Sequence, residues 1–316
     1  MRKARSPPRW RRDKMAWIVF RQTIVMGLYM AAGFALFRAG KLTARGSREL
    51  GAMLLWVVIP AVVLNSFCVD FTPERLIKLV ESTLLGALVL LLALLLGRAL
   101  FRSAPVDSFA AAFSNAGFIG IPLVQASIGP EAVFYLVGLI ATVNLLQWTC
   151  AARALTGERQ SGGLRRALLN PVVLAIALGL LLFVTGAGTR LPVVLSTALG
   201  GISAMNAPLA MLMLGTYLAQ SDLKEMLRNL RVYQVCAARL LFIPLVTLVV
   251  FRFLPLPRDM LLALLIAAGA PVGANVAVYV QLYGLDYAHA CQTIALSTLL
   301  SVFTLPLLLL AAGWIL

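Results

Sequence analysis

The chain has 316 residues, of which 61% are hydrophobic and 12% charged, with a formal net charge of +15 and a mean hydropathy of +0.93. Soluble domains average about 45–50% apolar and about 25% charged residues, and even a large globule keeps its outer shell in water. Lipid must therefore be the solvent, which excludes a cytosolic enzyme, a secreted disulfide scaffold and a disordered chain. Cys68, Cys150, Cys236 and Cys291 stand singly inside apolar runs, and His289 is the one histidine. That pattern, with no phosphate-loop motif, offers no metal cluster, haem pair or ATPase site, so neither metal nor cofactor is expected.

The chain opens on a basic tail (1–15) whose first fourteen residues, MRKARSPPRWRRDK, carry seven Lys and Arg and lack a signal-peptide layout. Translation is expected to begin at Met15. A hydrocarbon core about 30 Å thick takes around 20 helical residues. Ten apolar runs of that kind follow: 16–37, 47–69, 79–101, 106–128, 131–153, 170–188, 192–219, 232–254, 259–283 and 287–315. The expected fold is an all-α polytopic membrane protein. The longest interior polar stretch, TGERQSGGLRRALLN, places a linker at 156–169 between two five-span halves, 16–155 and 170–316. Pro60 and Pro122 interrupt spans 2 and 4, and Pro208 and Pro271 interrupt spans 7 and 9, giving a period of 148 or 149 residues. Five spans is an odd number, so the second copy enters the membrane in the opposite sense, the inverted repeat common in secondary transporters.

Charge gives the orientation. The connections after spans 1, 3, 5 and 7 hold thirteen basic residues, among them Arg48, Arg98, Arg102, Arg153 and Arg231, whereas those after spans 2, 4, 6 and 8 hold five. The former should be cytoplasmic and both termini outside, an orientation that the tail's charge opposes. The net charge calls for no nucleic acid, because the tail and the cytoplasmic loops account for most of it.

Two segments ask for unpaired backbone in mid-membrane, which is tolerated only against a cavity or other protein. In SNAGFIGIPL (114–123), Gly117 and Gly120 loosen the helix, Pro122 removes a donor and Asn115 can cap a half-helix. In GAPVGAN (269–275), Pro271 and Gly273 do the same beside Asn275. A broken helix exposes carbonyls at one half-helix end, suited to a cation, and donors at the other, suited to an anion. These residues are the candidate substrate site. Asn65 and Asn206 either face it or bond freed carbonyls. Arg239 lies seven residues into span 8, where an intramembrane charge is costly; it either meets a substrate carboxylate or snorkels to the surface. Asn144 and Gln147 share a helix face and read as interhelical glue, Ser297 and Thr298 as bonded to their own helix, His289 as interfacial, and Asp107 as solvated or loop-paired.

The string FSNAGFIGIPL and the turn GPEAVFYL after it resemble the first broken helix of the auxin efflux carrier family. IPAVVLNSF (59–67), RLLFIPL (239–245), APVGANVAVYVQLYGLD (270–286) and QTIALSTLLSVFTLPLLLL (292–310) are similar to that family's spans 2, 8, 9 and 10, so the resemblance runs from about residue 16 to the end. The short central loop is similar to bacterial members labelled malonate or dicarboxylate transporters. The resemblance implies ten spans, two crossing broken helices (spans 4 and 9), outward termini and a place in the bacterial cytoplasmic membrane. The expected function is secondary transport of a small organic anion. The alternative is a membrane receptor or sensor that binds a metabolite at the same site without moving it; an integral-membrane enzyme lacks a nucleophile–base pair. The expected partners are the anion and membrane lipids, with a homodimer left open and no nucleic acid.

Overall fold

The computed structural model describes residues 9–157, 165 and 168–316. The tail up to residue 8 and most of the expected linker lie outside the described residues. Among the described residues every regular element is helical. They are α1 (Arg9–Arg38), α2 (Ala44–Ser66), α3 (Pro73–Leu100), α4 (Pro105–Ala112), α5 (Ala116–Ser127), α6 (Val137–Thr156, after a 3₁₀ turn Pro130–Leu136), α7 (Pro171–Val184), α8 (Val193–Ala204), α9 (Asn206–Gln220), α10 (Leu223–Arg228), α11 (Leu230–Phe251), α12 (Arg258–Gly269), α13 (Asn275–Leu282) and α14 (Tyr287–Ile315). Residues 9–15 form the first turns of α1, where a separate tail was expected.

Among the described residues, seven segments are long and apolar enough to cross a membrane: Trp17–Arg38, Ala44–Ser66, Pro73–Leu100, Pro130–Gln147, Val193–Gln220, Leu230–Phe251 and Tyr287–Ile315. They coincide with expected spans 1, 2, 3, 5, 7, 8 and 10. Expected span 6 is the 14-residue α7, and expected spans 4 and 9 are each split into two short helices, α4 with α5 and α12 with α13.

The helix starts follow from capping. Thr72 accepts from Arg75 N at 3.2 Å with Pro73 at the first turn of α3. Asn170 accepts from Val172 N at 2.9 Å with Pro171 opening α7. Each side-chain oxygen satisfies an amide that the helix leaves unpaired, and proline costs nothing where no amide is needed. Packing uses small residues. A Cβ on Gly33 of α1 would lie 2.1 Å from Leu212 O of α9, and one on Gly215 would lie 2.0 Å from Met30 O. Glycine alone lets these two backbones touch, the device by which membrane helices gain contact without a hydrophobic driving force. Deepest in the molecule is α12, buried at every residue from Met260 to Gly269. The outer helices leave Leu84, Val193 and Val194 more than half exposed, as suits a surface wetted by hydrocarbon.

Three prolines sit in continuous helix, two of which, Pro60 and Pro122, were expected to interrupt their spans. Pro60, Pro122 and Pro244 each follow an isoleucine and sit just after a five-residue π turn: Leu54–Val58, Ala116–Gly120 and Ala238–Phe242. The helix runs on through each proline. A proline ring collides with the carbonyl four residues back; widening the preceding turn to i→i+5 bonding removes the collision without breaking the helix.

Candidate functional site

The two breaks meet. After α4 the chain is extended at Phe113 (φ −97°, ψ 107°), and after α12 it is extended at Ala270 (φ −62°, ψ 148°). Asn115 N donates to Pro271 O at 2.8 Å and Gly273 N to Phe113 O at 2.9 Å, so that Ser114 and Val272 form an antiparallel bridge. The strands pack so closely that a Cβ on Gly273 would lie 3.2 Å from both Phe113 O and Ser114 O. Val272 N donates to Ser297 Oγ of α14 at 3.1 Å, a partner across helices where only an intrahelical bond was expected.

The causes of the two breaks are unlike. At Ala270 the following Pro271 disfavours helical backbone in the residue before it, which stops α12. At Phe113 no proline is involved: Asn115 caps the next half-helix, its Oδ1 accepting from Phe118 N at 3.2 Å. The break therefore lies seven or more residues before Pro122, which is a correction to the proline-centred expectation. Pro122 sits in continuous helix, and Gly120 packs against Ala267 of α12 at ordinary contact distance.

Each break yields one carbonyl end and one donor end, and Arg239 distinguishes them. Its side chain, on the π turn of α11, is 1% exposed. Nη1 donates to Ala111 O and Ala112 O at 3.0 and 3.1 Å, Nε to Ala270 O at 3.2 Å, and Nη2 to Ala268 O. One guanidinium thus holds the carbonyl ends of both α4 and α12, where the helix dipoles are negative. It does not snorkel.

The donor ends of α5 and α13 are left facing a cavity of about 50 Å³ whose lining includes Asn115, Gly117, Asn144, Gln147, Gly273 and Asn275. Asn115 is 4% exposed and its Nδ2 has no hydrogen-bond partner. Asn275 Nδ2 donates to Gln147 Oε1 at 3.4 Å, and Asn144 Nδ2 turns back to Ile140 O at 2.8 Å. Asn206 of α9 is buried, donating to Gly117 O at 3.1 Å: it bonds a carbonyl of the π turn. Asn65 is exposed near the far end of α2 and lines neither this cavity nor the vestibule.

Leu55, Phe118, Asn144, Ala274 and Asn275 also line a vestibule of about 410 Å³. It extends toward the start of α2 (Ala44, Arg48), the end of α9 (Gln220), the end of α13 (Gln281) and the start of α14 (Tyr287). Toward the opposite end of α2 aromatic rings cluster. Phe134 stacks edge-on with Phe67 at 5.6 Å and with Phe183 at 5.4 Å, and Phe71 lies 5.2 Å from Phe183. Arg48, Tyr217, Gln220 and Tyr287 were not singled out from sequence, because nothing in their local spacing brings α2, α9 and α14 together.

Away from the crossing, Asp107 is 1% exposed, not solvated. It accepts from Arg231 Nε and lies 2.6 Å from His289 Nε2, which ties the first turns of α4, α11 and α14 together. His289 is buried too, at 8% exposure.

Comparison with known proteins bears on what such a crossing serves. Residues 162–309 match the model of a family described as membrane transport protein, in line with the resemblance read from the motifs. The chain is 26% identical over 293 residues to an uncharacterized transporter of Methanothermobacter thermautotrophicus, and 27% identical over 312 residues to a Rhizobium meliloti protein provisionally named a malonate transporter. Each match covers 87% of this chain and 92% of the relative.

Proposed function

We propose that the chain is a secondary transporter that moves a small organic anion, a carboxylate, by alternating access around the two broken helices, in a fold of two inverted five-span halves. The observation that carries this reading is the division of labour at the crossing. Arg239 takes up the carbonyl ends that would suit a cation, and the ends left open are donors. A carboxylate there would accept from Asn115 Nδ2 and from the first amides of α5 and α13, which a helix leaves without internal partners. The name of the Rhizobium meliloti relative supports the carboxylate class.

Counterflow tests it. Proteoliposomes preloaded with unlabelled malonate or another small mono- or dicarboxylate should accumulate the labelled anion transiently, and liposomes without protein should not. Saturable binding with no exchange across that panel would instead make the chain a receptor.

A further inference from the structure

Outside the crossing, three cations of the described residues that lack a carboxylate partner share one cleft. It has a volume of about 700 Å³ and lies where α3 and α6 end and α4 begins, lined by Arg98, Phe101, Arg102, Ser108 and Arg153 among others. Arg98 belongs to the last turn of α3 and Arg153 to the last turn of α6, and Arg102 lies in the turn between α3 and α4. Among the described residues, the ion pairs involve Arg45, Arg231 and His289, and none of these three arginines. Three guanidiniums around one polar hollow form a strong anion trap, because each presents a planar fork of donors that matches the oxygens of a phosphate.

Helix ends explain two of the charges on their own, since a cation near a C-terminus is favourable. They do not explain why the third comes from a turn and faces the same space. Nor do they explain what leads to it. Leu84, Leu91 and Leu95 are 67%, 52% and 58% exposed. At 100° per residue they share one face of α3, and Arg98 continues that face at its end. An apolar strip in contact with hydrocarbon therefore runs directly into the basic cleft at the level where lipid headgroups lie.

We infer that this cleft is a phosphate-anion site occupied by an anionic phospholipid, with the acyl chain along the leucine strip of α3 and the headgroup phosphate among Arg98, Arg102 and Arg153. Basic hollows between helix ends on the cytoplasmic side are suited to such headgroups, and this is the side that the charge distribution assigns to the cytoplasm. The site joins α3, α4 and α6, so an occupied cleft fixes the first half of a broken helix against two long spans.

The test uses the full chain in detergent, titrated with phosphatidylglycerol, with phosphatidylcholine and with inorganic phosphate, and read by thermal unfolding, because a ligand of the folded state raises the apparent midpoint. Phosphatidylglycerol should raise the midpoint by several degrees, and the two other additions should not. In Arg98→Gln/Arg102→Gln/Arg153→Gln the apparent affinity should fall about tenfold or more. A charge-matched variant outside the cleft, Arg190→Gln/Lys224→Gln/Arg228→Gln, should respond as the unaltered protein does, and the triple lysine variant at the cleft should recover part of the response. An equal shift in the triple glutamine variant would overturn the site. An arginine-dependent shift from inorganic phosphate as large as that from lipid would overturn the lipid as its occupant. The three side chains are exposed, so the glutamine variant should keep its lipid-free midpoint, which serves as the folding control.

Discussion

At the scale of single residues, Arg239 and Asn115 make opposite demands on the fold. Sequence marks Arg239 as a charge within a span but gives no hint of its partners, which are 29 to 128 residues away. Its four bonds are structural. Inside a membrane protein such bonds are worth about 0.6 kcal/mol each, and stranded carbonyls add to the loss. Arg239→Gln should therefore cost roughly 3 kcal/mol or more, seen as a fall in the unfolding midpoint of about 5 °C or more. Asn115 was legible, because an asparagine before a loosened helix is a capping signal, yet the unpartnered Nδ2 became visible only with the cavity around it. Asn115→Asp keeps the oxygen that caps Phe118 N and replaces the free donor by a negative charge. The folded midpoint should hardly move while transport falls at least about a hundredfold, since a like charge opposes the anion. Normal uptake by Asn115→Asp would move the substrate away from the crossing. Asp107 read only as solvated or loop-paired, without its partners, because Arg231 and His289 lie 124 and 182 residues along the chain.

At the scale of elements, proline is an ambiguous signal. The sequence shows Pro122 and Pro271 in mid-span 149 residues apart, and their kinship looks like that of two breaks. The breaks themselves pair Ser114 with Val272, 158 residues apart, so the two prolines do not occupy corresponding places. Pro271 stops α12 through the residue before it, whereas Pro122 is absorbed by a π turn, as Pro60 and Pro244 are. All three absorbed prolines follow isoleucine, but Pro208 in α9 follows alanine as Pro271 does, so the preceding residue does not separate a break from a bend. Pro271→Ala relieves the restriction on Ala270 and allows the helix to extend toward the crossing. Its transport rate should fall about tenfold or more, and Pro122→Ala should retain most of the activity, with expression of both preserved. A greater loss in Pro122→Ala would show that the π turn, with Gly117 O held by Asn206, matters more than the break.

At the scale of the whole molecule, the vestibule extends toward the start of α2 and the aromatic cluster lies past the other end of α2. The apolar runs made most of this helical organisation legible. The state of the cavity was not legible, because Phe67 and Phe71 come from the connection between α2 and α3, Phe134 from the 3₁₀ turn before α6 and Phe183 from α7. In the alternating access proposed above, this aromatic cluster would open while the vestibule closes. Phe134 is its centre, in edge-on contact with both Phe67 and Phe183. Such aromatic pairs are worth about 0.5–1.5 kcal/mol each beyond buried area, so Phe134→Ala weakens the cluster by roughly 1–3 kcal/mol. Each 1.4 kcal/mol is about a tenfold change in a two-state equilibrium, and the variant should populate the opposite opening substantially. A cysteine at Ala116, at the donor end of α5, reports it. In an otherwise unaltered background a membrane-impermeant maleimide should reach it from the vestibule side and barely from the other. Adding Phe134→Ala should raise labelling from the aromatic side about tenfold, and saturating substrate should reduce labelling from both. If labelling from the aromatic side is unchanged, the rings are passive packing and the seal lies elsewhere along α2 and α7.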